Sequence, residues 1–255
     1  IGESAFEGCI AMSSVTIPAS VATIGVAAFK GCAALGSVTI PASVTTIGDR
    51  AFEGCTALTS LTTPASVIAI GEAVFGSCTN LSSVTISDGL ATIGDLAFYN
   101  CTRLSSVRIP GSVAAISDNA FSGCTSLAEI IVDTANPNYS SLDGMLFDKA
   151  RTTLIQCPGG KNGAYTIPDN VKIIGDKAFS DCAALTGVTI PDSVTSIGKH
   201  AFQGCSALTS VAIPNSVTAV GNAAFQDCIA MSSVMISDSV ATIGVAAFKG
   251  CTALG

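Results

Sequence analysis

The amino-acid sequence predicts a solenoid in which the short strands and turns of successive 23-residue coils stack on one another. Three observations support this fold class. A cysteine recurs every 23 residues, a phenylalanine stands three residues before each of these cysteines, and the segment between pairs alternates apolar and hydroxylic side chains. A short fixed period is typical of stacked architectures, because one unit is too small to bury its own apolar side chains.

The repeat runs through nearly the whole chain. Its consensus is L-x-S-V-T-I-P-x-S-V-x-x-I-G-x-x-A-F-x-G-C, and we expect a single solenoid domain over 1–255. Regular repeats are predicted at 1–124 and 183–255, with irregular repeats at 125–182. The pairs that mark the repeats are Phe6 and Cys9, Phe29 and Cys32, Phe52 and Cys55, Phe75 and Cys78, Phe98 and Cys101, Phe121 and Cys124, Phe179 and Cys182, Phe202 and Cys205, Phe225 and Cys228, and Phe248 and Cys251.

Each part of the repeat has a physical reason, as residues 37–55 illustrate. Alternation of Ser/Thr with Val/Ile over 37–40 predicts a strand with one apolar face. Pro41 ends this strand because it cannot donate to a ladder, and 44–47 form a second short extended piece. Gly48 permits a sharp turn, and the spacing of Ala, Phe and Cys over 51–55 fits a single helical or 3₁₀ turn.

Composition excludes some classes of function. Hydrophobic residues make up 49% of the 255 residues, charged residues only 11%, and the net charge is −7. A chain with so few basic residues has no footprint for nucleic acid or for anionic membrane surfaces. No apolar run reaches the length of a membrane span. The chain begins and ends inside repeats, so we expect it to be part of a longer array.

Ten of the eleven cysteines recur in register, which predicts a column of buried free thiols that pack as small hydrophobes. Parallel side chains on stacked coils do not have the torsion that a disulfide needs. A single histidine and the absence of a C-x-x-C pair argue against zinc, and no cofactor is expected. Cys157 lies off the column and is predicted to be the reactive thiol. The structural column comprises Phe29, Cys32, Phe52, Cys55, Phe75, Cys78, Phe98, Cys101, Phe121 and Cys124.

Outward-facing strand residues form the candidate ligand-binding face. Serine and threonine dominate its first half, and a shallow protein- or glycan-binding surface is one interpretation. Another is that Ser and Thr are simply favourable on strand surfaces, and a remote one is ice binding by a regular threonine array. The residues of this face are Ser14, Thr16, Ser37, Thr39, Ser60, Thr62, Ser83, Thr85, Ser106, Arg108 and Glu129.

Other polar positions are weaker candidates. His200 is predicted to be an exposed bystander, and no catalytic set of acid, base and nucleophile surrounds it, so an enzyme is not expected. Oxygens of the segment DTANPN at 133–138 suit either calcium or Asx turns. N-x-S/T sequons occur at Asn80, Asn100 and Asn138. They are sites for glycans only if the chain passes through a eukaryotic secretory route.

The consensus, for example LTSVAIPNSVTAVGNAAFQDC at 208–228, resembles the BspA-like (Treponema pallidum type) leucine-rich repeats. The resemblance implies a right-handed leucine-rich-repeat solenoid with a parallel β-sheet on its concave face and short strands or 3₁₀ turns elsewhere. The irregular stretch at 133–171 is similar to the family's variant units, with DGMLFDK and LIQCP as two strands of a protruding hairpin insertion. This insertion is a local binding feature or a bend, or simply a tolerated insertion.

The function that this resemblance implies is a non-enzymatic cell-surface or secreted adhesion module. It would bind an extracellular protein or glycan through the concave sheet, without nucleic acid or membrane insertion. The alternative is a structural spacer or a fibre component that contacts copies of itself end to end. Residues 10–36 and 229–255 match at 23 of 27 positions, and such duplication suits a spacer as well as a receptor.

Overall fold

Strands and turns, without any helix, make up the computed structural model, which describes residues 1–255. Two units are distinguished, unit 1 (Ile1–Asn138) and unit 2 (Tyr139–Gly255). Both consist of parallel coils with the predicted 23-residue period, which confirms the fold class. The single domain over 1–255 stays a prediction. No helix long and apolar enough to span a membrane is present.

Unit 1 has two rows of strands, one per coil in each row. In the first row β1, β3 and β7 have the sequence Ser-Val-Thr, and in the second row each strand is Thr-Ile or Ala-Ile. Pairing in both rows is parallel, and Val15 lies opposite Val38, one period further along the chain. In chain order the strands are β1 Ser14–Thr16, β2 Thr23–Ile24, β3 Ser37–Thr39, β4 Thr46–Ile47, β5 Ser60–Thr62, β6 Ala69–Ile70, β7 Ser83–Thr85, β8 Thr92–Ile93, β9 Ser106–Ile109, β10 Ala115–Ile116 and β11 Glu129–Val132.

Unit 2 begins with an antiparallel meander and continues as parallel coils. Its largest sheet has the order β12-β13-β14-β16-β18-β20-β22, and the first-row strands pair as β15-β17 and β19-β21. The strands are β12 Tyr139–Leu142, β13 Met145–Asp148, β14 Thr153–Gln156, β15 Gly163–Thr166, β16 Ile173–Ile174, β17 Leu185–Thr189, β18 Ser196–Ile197, β19 Ser210–Ile213, β20 Ala219–Val220, β21 Ser233–Ile236 and β22 Thr242–Ile243.

The hairpin of β13 and β14 does not protrude, contrary to the expectation from sequence. Met145, Phe147 and Leu154 are fully buried and belong to the apolar core of unit 2. β14 also pairs in parallel with β16, so it serves as a second-row strand for the coils that follow. The meander therefore starts the core of unit 2.

The Phe–Cys segment of each coil forms a series of turns that is bonded to the next coil. Cys32 N donates to Phe29 O within its turn (3.1 Å), whereas Phe29 N donates to Ala51 O of the following coil (2.8 Å). Gly31 N likewise crosses to Glu53 O (2.7 Å). Backbone N–H groups here alternate between closing turns and joining coils, so few are left without a partner.

The glycine after the second strand is required by the close approach of neighbouring backbones. A Cβ added at Gly48 would lie 2.5 Å from the backbone N of Val26 and 2.7 Å from the carbonyl C of Gly25. Because such distances force the coils apart, we expect Gly48→Ala to lower the free energy of unfolding by about 1–3 kcal/mol. Urea unfolding followed by circular dichroism measures this difference.

Gly36→Ala is the matched control for this substitution. Its added Cβ would meet no atom closer than 4.0 Å, and Gly36 does not have a positive φ. We therefore expect it to be neutral or slightly stabilising, since alanine restricts the unfolded chain more than glycine does. The position equivalent to Gly48 is occupied by Ser117 in the last regular coil of unit 1. We therefore expect Gly48→Ala to shift a coil rather than to abolish folding. Equal losses for both variants would contradict the close-approach argument.

Candidate ligand-binding face

The first strand row of unit 1 presents two columns of hydroxyls. In β1 and β3, Ser14 lies opposite Ser37 and Thr16 opposite Thr39. The valine between them points inward, because successive side chains on a strand alternate between faces. β5 and β7 repeat the arrangement in the same register. These eight exposed residues form the hydroxyl face, which comprises Ser14, Thr16, Ser37, Thr39, Ser60, Thr62, Ser83 and Thr85.

Side chains of the hydroxyl face make no hydrogen bond within the chain, unlike hydroxyls elsewhere on the coils. Ser43 Oγ donates to Val21 O (2.8 Å) and Thr56 Oγ1 to Ala33 O (3.2 Å), and each of these bonds joins one coil to the preceding one. A hydroxyl can donate one hydrogen bond and accept two. The hydroxyl face therefore keeps its full bonding capacity for water or a ligand.

The remaining predicted face residues differ in character. Arg108 Nη2 lies 2.7 Å from Asp133 Oδ2, and the backbone N–H of Ala135 together with this guanidinium holds the pKa of Asp133 below its usual range. Ser106 is half-buried, and Glu129 is exposed opposite it across the β9–β11 pair. This end of the row is charged, whereas the hydroxyl face is neutral.

A cleft of about 350 Å³ interrupts the hydroxyl face between β3 and β5. The parallel ladder pairs β1 with β3 and β5 with β7 but does not join β3 to β5. The cleft is lined by Ser37, Val38, Thr39, Ile40, Ser60, Leu61, Thr62 and Pro64.

Thr63 is a departure from the repeat beside the cleft. It is fully buried at the position where the preceding coil has Ile40, and its side chain is more compact. Its hydrogen bonds all lead to the following coil: Thr63 N donates to Thr85 O (3.0 Å) and Thr63 Oγ1 accepts from Ser87 N (3.1 Å). Ser87 Oγ also donates to Thr63 O. Thr63 therefore joins β5 to β7, whereas the ladder is interrupted on the side of β3. A second interruption lies between β7 and β9, where the equivalent residue is Ile86.

The predicted Phe and Cys positions lie together in the interior. In unit 1 neighbouring phenylalanine rings stack with centroids 5.1–5.6 Å apart, and the column residues from Phe29 to Cys124 are buried. Each thiol also donates to a carbonyl of the preceding coil, as Cys55 Sγ does to Phe29 O (3.3 Å) and Cys78 Sγ to Phe52 O (3.2 Å). The cysteine is therefore both a small apolar side chain and a weak donor that joins coils.

Burial sets the chemistry of these thiols. It raises the pKa of Cys55 to about 12 and also raises that of Cys78, so both are protonated at neutral pH. Protonated, inaccessible thiols are poor nucleophiles. The column is consequently unsuited to covalent catalysis.

Thiol labelling tests this assignment. All eleven cysteines are free, and only Cys9 is exposed. We expect one thiol per chain to react rapidly with a disulfide reagent such as Ellman's reagent under native conditions, and all eleven to react in guanidinium chloride. A Cys9→Ala variant should lose the fast phase. Rapid labelling of several column cysteines in the folded chain would contradict the buried column.

Cys157 is not an accessible reactive thiol off the column, as expected from sequence, but a buried residue beside it. Its side chain is 3% exposed. Its N–H donates to Ala178 O (2.6 Å), the bond that Phe29 makes to Ala51 in unit 1, so it occupies a phenylalanine position. A side-chain hydrogen bond with Cys157, together with burial, raises the pKa of the Cys182 thiol.

The histidine and the sequon asparagines predicted from sequence differ in how exposed they are. His200 is half-buried rather than exposed, with φ of 55°, and its Nδ1 is buried without a hydrogen-bond partner. Among the sequon asparagines, Asn138 is exposed, whereas Asn80 and Asn100 are half-buried. No group of three or more His, Cys, Asp and Glu side chains is arranged to hold a metal ion.

Asn136 has a role that the sequence did not reveal. The side chain is fully buried, and its Nδ2 donates to Pro110 O (2.8 Å) and Val113 O (2.9 Å). Its Oδ1 accepts from Asn138 N (2.9 Å), which is the predicted Asx turn. The amide therefore links the last turn of unit 1 to the preceding coil and does not present its oxygen for calcium.

Comparisons with solved structures support the fold. A leucine-rich repeat protein from Eubacterium ventriosum is 32% identical with a TM-score of 0.84, and the match covers 95% of this chain and 65% of that one. A leucine rich cell surface protein from Faecalibacterium prausnitzii is 29% identical with a TM-score of 0.74, over 100% and 81% of the two chains. The pneumococcal vaccine antigen PcpA is 25% identical with a TM-score of 0.69, over 95% and 66%.

Comparisons with sequences place the chain in a family. The search of curated proteins found no match. The family model described as the BspA type leucine rich repeat region matches six copies over residues 1–143 and 161–255. This agrees with the resemblance seen in the consensus, and the family is typically non-enzymatic. The chain therefore belongs to the BspA-type leucine-rich repeat family.

Proposed function

We propose that this chain is a non-enzymatic recognition module of a cell-surface or secreted protein. It binds an extracellular protein or glycan through the hydroxyl face of unit 1. The observation that carries the proposal is that eight exposed hydroxyls in register make no hydrogen bond within the chain, although hydroxyls at other coil positions do. Side chains that the fold does not use are available for a partner.

The relatives support the surface location. One solved structure is described as a cell surface protein and another as a vaccine antigen. The first of the structures compared is longer, and this chain spans 65% of it. The recognition role therefore concerns the segment present here, in which the hydroxyl face lies.

The chemistry of the face predicts how binding responds to salt. No charged side chain belongs to the hydroxyl face, and the nearest charges in the row are at Arg108 and Glu129. Affinity between neutral groups is little affected by ionic screening. We therefore expect the dissociation constant to change less than about threefold between 50 mM and 500 mM salt, as measured by biolayer interferometry.

The proposal is tested with a panel of immobilised extracellular-matrix proteins and glycans. A Thr16→Lys/Thr85→Lys variant puts bulky, strongly hydrated side chains on the hydroxyl face. The matched control is Thr23→Lys/Thr46→Lys, which changes exposed threonines of the second strand row by the same chemistry. We expect the first variant to lose at least about tenfold in affinity for a panel member that the parent chain binds, and the control to retain it.

Two outcomes would overturn the proposal. Equal binding by both variants would show that the hydroxyl face is not the contact surface. Failure of every panel member, together with concentration-dependent end-to-end growth in light scattering and electron microscopy, would favour the spacer or fibre instead. Thermal unfolding of both variants establishes that lost binding does not reflect lost folding.

A further inference from the structure

The cleft between β3 and β5 is a distinct feature of the hydroxyl face. Its four polar side chains stand in two facing pairs, Ser37 and Thr39 on β3 and Ser60 and Thr62 on β5. Along each strand the two hydroxyls are about 6.6 Å apart. None of the four has a hydrogen-bond partner in the chain, so all of them can bond to whatever enters the cleft.

We infer that this cleft binds one neutral pyranose residue of a glycan, an assignment that rests on the proposed function and names its ligand class. Each lining hydroxyl is both a donor and an acceptor. Sugar hydroxyls are also both donors and acceptors, so any lining hydroxyl can form a hydrogen bond with a sugar hydroxyl in one direction or the other. A ligand with only acceptors or only donors would use part of this capacity.

The absence of charge in the lining selects against ionic ligands. None of the eight lining residues is Asp, Glu, Lys, Arg or His. A carboxylate or ammonium group that entered would lose water without gaining a charged partner. Uronic and sialic acids are therefore disfavoured relative to neutral hexoses.

The apolar part of the lining and the volume fit one face of a sugar ring. Of the apolar lining residues, Ile40 and Leu61 are buried (7% and 3% exposed) and Val38 and Pro64 are half-buried, so the cleft offers a small aliphatic surface. The C–H groups of a pyranose can pack on such a surface while its hydroxyls point to the rim. About 350 Å³ is at the low end of ligand pockets, which suits one or two rings rather than a long chain.

Affinity at a single cleft is expected to be low. No aromatic ring lines it, so the contacts are hydrogen bonds exposed to water and a small aliphatic area. A millimolar dissociation constant follows for a free disaccharide. Attachment to a glycan-coated surface would then depend on many chains binding together.

The test is a nuclear magnetic resonance titration of the ¹⁵N-labelled 255-residue chain with lactose, maltose and mannobiose, and with sialyllactose as the anionic comparison. We expect at least one neutral disaccharide to shift the amides of 37–40 and 60–63 with millimolar affinity. Sialyllactose should bind no more tightly than lactose. Shifts elsewhere only, no shift with any neutral sugar, or a preference for sialyllactose would each overturn the inference.

Matched variants test whether sugar binding depends on the hydroxyls of the cleft. Thr39→Val/Thr62→Val removes two lining hydroxyls while keeping side-chain shape, and should weaken binding about tenfold or more. Thr23→Val/Thr46→Val makes the same change at exposed threonines of the second strand row, outside the hydroxyl face, and should leave the affinity within about twofold. Equal effects of the two variants would overturn the assignment to the cleft.

Thr63→Ile tests the origin of the cleft without changing its hydroxyls. It restores the residue type of Ile40 and removes the bond from Ser87 N to Thr63 Oγ1, so we expect β5 to approach β3 and sugar binding to fall as in the lining variant. Sugar binding unchanged in a folded Thr63→Ile chain would contradict this account.

If the cleft tests fail while Thr16→Lys/Thr85→Lys still abolishes binding to a panel partner, the inference fails and the proposed function stands.

Discussion

Replacing Asn136 by aspartate is expected to lower the free energy of unfolding by about 3–5 kcal/mol. The amide nitrogen donates to Pro110 O and Val113 O, and the side chain is fully buried. Aspartate has no donor at neutral pH and would direct a carboxylate at two carbonyl oxygens inside the protein. Two bonds donated by the side chain are lost and an unpaired charge is buried, which are among the costlier single changes in a folded chain.

The position of Asn136 explains why the effect should be large. In the regular coils a serine hydroxyl bonds to a carbonyl of the coil before it, as Ser66 Oγ does to Val44 O (2.6 Å) and Ser112 Oγ to Leu90 O (2.8 Å). Asn136 bonds in the same way to Val113 O and adds a second bond to Pro110 O. The asparagine thus completes this column of side chain to backbone bonds at the last turn of unit 1.

Urea unfolding of the full chain measures the loss, with two reference variants. Asn136→Ala removes the donors without adding charge, and about 2–3 kcal/mol is expected. Asn138→Asp changes an exposed side chain by the same chemistry and should stay within about 0.5 kcal/mol of the parent. If Asn136→Asp is no less stable than Asn138→Asp, the buried amide is not what secures the end of unit 1.

The repeat could be predicted from sequence because its signals are local and recur in every coil. Alternation of Ser/Thr with Val/Ile predicted the first-row strands, and the Phe–Cys spacing predicted the buried columns. The left-handed backbone two residues after each phenylalanine was also readable in principle. That position is occupied by Gly31 and Gly54 in two coils and by Ser77, Asn100 and Asp181 in others. Glycine and short polar residues adopt this conformation most readily.

Features that depend on a single departure from the repeat could not be predicted. Thr63 replaces the isoleucine of the preceding coil, and nothing local indicates that its hydroxyl accepts a hydrogen bond from Ser87 N of the following coil. Asn136 resembled a surface Asx turn until the structure placed its amide among carbonyls. Cys157 was expected to be a reactive thiol, and only the bond from its N–H to Ala178 O and the packing around it show that it is buried in a phenylalanine position. In each case the deciding contact lies in a neighbouring coil, more than 20 residues away.

Raising the pH above about 9 is expected to unfold unit 1 cooperatively, because its column thiols resist ionisation only while buried. Burial raises the pKa of Cys55 to about 12 and raises that of Cys78 as well, and a side-chain hydrogen bond with Cys124 together with burial raises that of Cys101. An unfolded cysteine loses its proton near pH 8.5. The stability from these thiols is therefore fully present below about pH 8.5 and is lost as pH rises toward the folded pKa values.

The slope of this loss provides the measurement. Each raised thiol removes about 1.4 kcal/mol of unfolding free energy per pH unit, so the three thiols together remove about 4 kcal/mol per unit above pH 9. Urea unfolding at pH 9 and pH 10 gives the slope, and Cys78→Ser should reduce it by about 1.4 kcal/mol per unit because serine does not ionise in this range. Cys9→Ala, which removes an exposed thiol, should leave the slope unchanged.

Alkylation by iodoacetamide, with the number of modified cysteines counted by mass spectrometry, should increase at the same pH as the loss of circular dichroism. Modification of column cysteines in a chain that keeps its native dichroism would show that the thiols ionise in place, and that burial of the column does not carry this share of the stability.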